Sequence, residues 1–311
     1  MKILISDKLQ DEGIKIFEDN GFEVIKDFTI THDKLKEEIE NYDGIVIRSR
    51  TNLTSDILEN AKNLKVIGRA GVGLDNVDRQ KAKELNIEVL NTPEAPAISV
   101  AEFALGLMLS LTRKISYADR TTHEGKWNKG DCLGYTLNGK KLGLIGFGNI
   151  AKHLAKIGIA LGMKVGVYSR FSKGQSAIDE AKKIGCSIYS SVQDLLKDAQ
   201  IISLHLPATP QTENLINEEH INLMRSDAIL INTARGKLID EKALLNALKS
   251  KTIAGAALDV YREEPLKNQD FISWNENLIL TPHIASQSIE NQIDAAIMIA
   301  EKISEYLKNY K

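Results

Sequence analysis

From Lys2 onward, short runs of branched apolar residues alternate with longer segments whose apolar residues recur at helical spacing. Stretches 2–6, 22–25, 44–47, 65–68 and 87–90 read as strands. Between them, 9–20, 33–40, 55–62 and 77–85 read as helices. A strand followed by a helix and then another strand cannot close as a hairpin, so the strands must run parallel with helices on both faces. The pattern breaks at Asn91-Thr92-Pro93-Glu94-Ala95-Pro96, where two prolines favour extended backbone and mark a hinge or linker. Ser99-Val100-Ala101-Glu102 then has the spacing of a capping box, opening a long apolar helix to about Lys114. Being apolar on more than one face, that helix should be covered on several sides, and a second subunit could cover one of them.

The alternation resumes at Lys141, with strands predicted at 142–145, 164–168, 187–189, 201–204, 228–232, 253–258 and 278–280. A final amphipathic helix, 288–307, has no sheet of its own. Its simplest packing returns it to the first domain. The predicted organisation is therefore α/β, with two doubly wound parallel sheets. A Rossmann nucleotide-binding domain, 96–285, is inserted into a flavodoxin-like substrate domain made of 1–95 and 286–311.

The strongest local motif is Gly146-Phe147-Gly148-Asn149-Ile150-Ala151, at the junction of a predicted strand and helix. Gly146 permits the tight turn, Gly148 lets backbone approach a pyrophosphate, and Ala151 lets the helix pack closely on its strand. The helix start at Asn149 and Ile150 turns N–H groups toward phosphates. The next strand ends Tyr168-Ser169-Arg170. A carboxylate there would hold a ribose and repel a 2′-phosphate. Ser169 and Arg170 could bind that phosphate, which tilts the cofactor toward NADP, although Arg170 could equally stack on adenine or face solvent.

Three polar residues follow predicted parallel strands in the same half: Arg235 in Asn232-Thr233-Ala234-Arg235-Gly236, Glu264 before Pro265, and His283 in Thr281-Pro282-His283. Ligands of open α/β sheets bind at those strand ends. Carbonyl reduction needs a proton donor, which suits His283, and an acid such as Glu264 would favour its imidazolium. Arg235 can grip a carboxylate and polarise the neighbouring keto oxygen. The predicted substrate is a 2-keto or 2-hydroxy acid. In the first half, Arg69-Ala70-Gly71-Val72-Gly73 offers an anion-binding nest of N–H groups. Arg48 and Arg50 could bind a second anionic group, or be no more than solvated or salt-bridged arginines.

Taken together, the stretches 68–78, 203–212, 232–236, 255–265 and 281–283 resemble the D-isomer-specific 2-hydroxyacid dehydrogenase family over nearly the whole chain. The likeness is strongest to the branch that acts on 3-phosphoglycerate, at the entry to serine biosynthesis. It implies Arg235, Glu264 and His283 as catalytic residues, the backbone of Val72 and Gly73 at the substrate carboxylate, and Arg48 and Arg50 near a substrate phosphate. It also implies cofactor contacts around His205, Pro207, Thr212, Thr233 and Ala234, with Asp259 near the nicotinamide carboxamide. NAD is the cofactor it implies by default, with Ser169-Arg170 as the departure that would accept NADP. Ile284-Ala285-Ser286-Gln287-Ser288 departs too, and together with Ser169-Arg170 is somewhat similar to glyoxylate/hydroxypyruvate reductases, the alternative reading. A dinucleotide-sensing binding protein of the same fold is the remote one. The resemblance further implies a homodimer through the 99–114 region. The stretch after His283 leaves no room for a serine-sensing domain, so no serine feedback is expected.

Other classes are disfavoured. With 40 Lys and Arg against 42 Asp and Glu, the formal charge of -2 gives no attraction for nucleic acid or an anionic membrane. Cys132 and Cys186 lack metal-ligand or disulfide spacing, so no metal site is expected and the thiols read as those of a cytoplasmic protein. The start lacks signal-peptide features, and the longest nearly apolar stretch, 100–111, is too short to span a bilayer.

Overall fold

The structure, a computed structural model, describes residues 1–170 and 174–310. It divides into two compact units, Met1–Ala97 with Ser286–Lys311, and Ile98–Ala285.

In the first unit, β1 (Lys2–Ile5), β2 (Glu23–Lys26), β3 (Gly44–Ile47), β4 (Val66–Arg69) and β5 (Glu88–Asn91) form a parallel sheet in the order β2-β1-β3-β4-β5. Alternate residues of one strand serve opposite cores. Leu4, Ile45 and Ile47 join Leu35, Ile57 and Leu58 on one face. Ile3, Ile5 and Val46 join Phe17, Ile299 and Ile303 on the other. The last helix, Ile289–Asn309, therefore packs on this sheet. Two glycines let it come close. A Cβ on Gly68 would stand 2.2 Å from Ile303 Cδ1, and one on Gly13 2.5 Å from the Ala296 carbonyl oxygen. The order reverses between β1 and β3, a topological switch point where Ser6 and Asp7 meet the loop Arg48–Thr51.

In the second unit, β6 (Lys141–Ile145), β7 (Lys164–Tyr168), β8 (Ser187–Ile188), β9 (Ile201–Leu204), β10 (Ile229–Asn232), β11 (Gly255–Leu258) and β12 (Leu278–Leu280) pair in parallel in the order β12-β11-β10-β9-β6-β7-β8. Helices again cover both faces, with Leu144, Ile201 and Ile231 toward one core and Ile202, Leu204 and Leu230 toward the other. Its switch point lies between β6 and β9, where the glycine loop meets His205. Among the described residues no helix is long and apolar enough to cross a membrane.

Three local expectations are corrected. Ser99 does not cap a helix. The helix Ala97–Thr112 starts directly after Pro96, and the Ser99 hydroxyl donates to the Ala285 carbonyl at 3.0 Å instead. At its other end Lys114 adopts a left-handed φ of 53°, and a second helix, Ile115–His123, follows. The helix expected over 55–62 is only Ser55–Leu58, because the Asn60 side chain donates to the Asp56 carbonyl at 2.9 Å and the chain turns away.

Candidate active site

The second unit gathers Arg235, Glu264 and His283 at the carboxyl ends of β10, β11 and β12. His283 Nδ1 and Glu264 Oε2 lie 2.7 Å apart. The other oxygen of Glu264 accepts the Tyr261 N–H at 3.1 Å, which fixes the carboxylate plane. Burial pushes the Glu264 carboxyl up, but the hydrogen bonds from His283 and Tyr261, with the charges of His283 and Arg235, bring it below its ordinary value. The hydrogen bond to Glu264 lifts His283 above its ordinary value, against partial burial and the Arg235 charge. All three groups are therefore within electrostatic reach of one another. Half-buried Arg235 also donates from Nη1 to the Ala234 carbonyl at 2.7 Å.

Strand ends alone would not bring these side chains together, and a set of hydrogen bonds does so. Asp259, fully buried, accepts from Thr281 Oγ1 at 2.6 Å and from the N–H groups of Ile284 and Ala285 at 2.9 and 2.8 Å. Tyr261 donates its hydroxyl to the Leu258 and Thr281 carbonyls at 3.1 and 2.8 Å. Together they bind the end of β11 to the loop after β12. His283 sits in that loop with a φ of 54°, a left-handed conformation that costs a non-glycine residue about 1–2 kcal/mol. The Asp259 bonds flanking it hold it there. Asn232 shapes the arginine loop, donating to the Arg235 carbonyl at 2.9 Å and accepting from Ala234 N–H at 3.0 Å. Gly236 lets that loop lie against Tyr261, since a Cβ would stand 1.9 Å from the Tyr261 carbonyl carbon.

The glycine loop has the form a dinucleotide requires. Gly146 has φ 100°, and a Cβ there would stand 2.2 Å from the His205 carbonyl oxygen. A Cβ on Gly148 would meet nothing within 4 Å, so the loop's outer face is open. Asn149 and Ile150 begin the helix Asn149–Ala160, and Ala151 is buried against its strand. Half-buried Ser169 and exposed Arg170 follow β7. Thr233 is 8% exposed, yet its hydroxyl has no partner among the described residues, as a residue awaiting a ligand group would be. A nicotinamide dinucleotide fits these residues.

Other expected contacts are engaged internally. Thr212 Oγ1 donates to the Pro207 carbonyl at 2.7 Å and accepts the Thr209 N–H at 2.8 Å, closing its own loop. The His205 ring lies 3.0 Å from Ser203 Oγ, and its burial lowers its pKa to about 4, so it is neutral near pH 7. Asp259, expected beside the carboxamide, has both oxygens occupied by the 281–285 loop.

In the first unit, the N–H groups of Val72 and Gly73 have no acceptor among the described residues. Arg50, although half exposed, is tied into the loop. Its guanidinium bonds Asp7 Oδ1 at 3.1 Å, the Ile30 carbonyl at 3.1 Å and the Ser6 carbonyl, which makes it a brace for the loop. Arg48 instead directs Nη1 to Gln292 Oε1 at 3.1 Å. Asp7 and Gln292 escaped the sequence reading. Only Asp7 carried a signal, as an acid directly after a buried strand.

Residues 105–285 match the family model described as D-isomer specific 2-hydroxyacid dehydrogenase, NAD binding domain. The chain belongs to the D-isomer-specific 2-hydroxyacid dehydrogenase family. Within this dehydrogenase family, D-3-phosphoglycerate dehydrogenase of Methanocaldococcus jannaschii is 42% identical over 99% of this chain and 58% of its own length. The chain thus spans a little over half of that relative. Hydroxypyruvate reductase of Thermotoga maritima is 41% identical over 97% of both chains. Among solved structures, an acyclic imino acid reductase in complex with NADPH and D-Arg superimposes with a TM-score of 0.87 at 32% identity, covering 99% of this chain and 97% of that one.

Proposed function

We propose that this protein interconverts a D-2-hydroxy acid and its 2-keto acid, and that the pair is 3-phosphoglycerate and 3-phosphohydroxypyruvate. The observation that carries the reaction is the 2.7 Å contact of His283 with Glu264, within electrostatic reach of Arg235. When bound, a nicotinamide dinucleotide would supply the hydride in reduction and accept it in oxidation. Gly146, Gly148, Asn149 and Ile150 would hold its pyrophosphate, Ser169 and Arg170 its adenosine end, and Thr233 and Ala234 its other end. Arg235 grips the substrate carboxylate and polarises the C2 carbonyl. His283, kept protonated by Glu264, gives its Nε2 proton to the C2 oxygen as C2 becomes tetrahedral. In the reverse direction neutral His283 takes the hydroxyl proton, and Glu264 stabilises the imidazolium without itself carrying a proton.

The phosphate assignment is supported by Arg48, whose guanidinium has a neutral amide for a partner where Arg50 has a carboxylate. The full-length likeness to a hydroxypyruvate reductase supports the alternative, in which no distal anion is recognised. Steady-state reduction of phosphohydroxypyruvate, hydroxypyruvate and glyoxylate, each with NADH and NADPH, separates them. The highest kcat/KM is expected for phosphohydroxypyruvate, and Arg48→Ala should raise KM for that substrate alone. Equal KM effects on all three would defeat the phosphate reading.

Ser169 and Arg170 favour acceptance of NADP. Ser169→Asp combined with Arg170→Ala is expected to move the NADP/NAD efficiency ratio toward NAD by roughly tenfold, the scale of a lost charge-assisted contact. An unchanged ratio would remove these residues from cofactor choice. A homodimer built on the apolar helix Ala97–Thr112, where Ile98 is 56% exposed, completes the proposal. Sedimentation as a monomer at micromolar concentration would contradict it.

A further inference from the structure

The arginines after β3 differ in what surrounds their charge. The Arg50 guanidinium is paired with the buried carboxylate of Asp7. Among the described residues, no carboxylate pairs with the Arg48 guanidinium. Asp7 meets Arg48 through the backbone N–H, at 2.6 Å, and the Arg48 carbonyl accepts from Asn76 Nδ2 at 2.8 Å. The backbone is thus fixed at both sides, and the side chain reaches Gln292, in the first turn of the helix Ile289–Asn309.

We propose that Gln292 is a positioning residue that aims Arg48 through a neutral acceptor in place of a bonded carboxylate, so that the loop selects substrates carrying an anion besides the C1 carboxylate. The inference rests on the reading of Arg48 as a substrate contact. Gln292 Oε1 accepts from Arg48 Nη1 at 3.1 Å and from Gln10 Nε2 at 3.2 Å, while its Nε2 donates to Gln287 Oε1. With the amide nitrogen engaged, only the oxygen can face the guanidinium, which itself can only donate. A glutamate here would aim the arginine equally well but would cancel its charge. Partial burial lowers the Arg48 guanidinium below its ordinary value, with the field of Asp7 opposing. A partly desolvated cation held by a neutral acceptor gains most from an arriving anion, because its lost hydration has not been replaced by a counter-ion.

The test compares Gln292→Glu, Gln292→Met and Arg48→Ala with the wild-type enzyme at saturating reduced cofactor. Gln292→Glu should raise KM for phosphohydroxypyruvate about tenfold or more, with kcat and the KM values for hydroxypyruvate and glyoxylate within about twofold. Gln292→Met, which loses the aim but keeps the charge, should raise KM for phosphohydroxypyruvate less. Inorganic phosphate should raise the melting temperature of the wild type more than that of Gln292→Glu, a readout needing no turnover. A purely structural tie between helix and loop predicts no such selectivity. The inference is overturned if Gln292→Glu leaves the three KM values unchanged or moves them together while Arg48→Ala remains selective. It is also overturned if Gln292→Met matches or exceeds Gln292→Glu. If Arg48→Ala is itself unselective, the reading of Arg48 fails and this inference falls with it.

Discussion

Two buried aspartates do the same work in the two sheets, with different consequences. Asp7, after β1, accepts from the N–H groups of Arg48 and Thr51, from Thr51 Oγ1 and from Arg50 Nε, and so shapes the arginine loop. Asp259, after β11, accepts from Thr281, Ile284 and Ala285, and so shapes the histidine loop. One has a guanidinium for a partner, while the other is satisfied by a hydroxyl and two backbone dipoles. In both cases an acid at a strand end organises a neighbouring loop and leaves the functional side chain, Arg48 or His283, to a different partner, Gln292 or Glu264. Buried carboxylates beside a site therefore need not be reactants.

The sharpest way to break this comparison is to remove the cation that Asp259 serves. His283→Ala should lower kcat by roughly 10²–10⁴ for every substrate, since the proton donor is gone. A loss below tenfold would show that another group supplies the proton.

Next come the aspartates themselves. Asp259→Asn leaves at least one buried donor without an acceptor and should destabilise the second unit by about 1–3 kcal/mol, read as a lower midpoint in urea. It should also reduce kcat, because His283 loses its support. Asp7→Asn should act on KM far more than on kcat. Identical kcat and KM responses in the two variants would mean that the aspartates do not serve separate steps.

The smallest effect is on pH. Glu264 keeps the His283 pKa above its ordinary value, and reduction uses the protonated ring. The reductive rate should therefore fall as pH rises through that raised value. Glu264→Gln removes the charge that raises it, so the fall should begin at lower pH, while oxidation, which needs the neutral ring, extends to lower pH. An alkaline limb that does not move would detach Glu264 from the titration.

Much of the fold was legible because its signals are local. Period-2 and period-3.6 patterns mark strands and helices within a few residues, and parallel order follows from their alternation. The glycine loop was legible for the same reason, since positive φ at Gly146 and the open face at Gly148 are properties of adjacent residues. The missed helix Ile115–His123 depends on a left-handed lysine that no local rule favours. The misplaced cap at Ser99 reflects a hydroxyl drawn to Ala285, 186 positions away.

By itself the sequence determined two wound sheets, a phosphate-binding turn and a set of polar residues at strand ends. Only the tertiary structure decided which of those groups keep a usable charge. His283 is raised by a carboxylate and His205 is lowered by burial, while Arg50 is paired with Asp7 and Arg48 is met by Gln292, 244 positions away. Protonation and charge compensation depend on the few ångströms around a group. The chain sets those only when distant segments pack together.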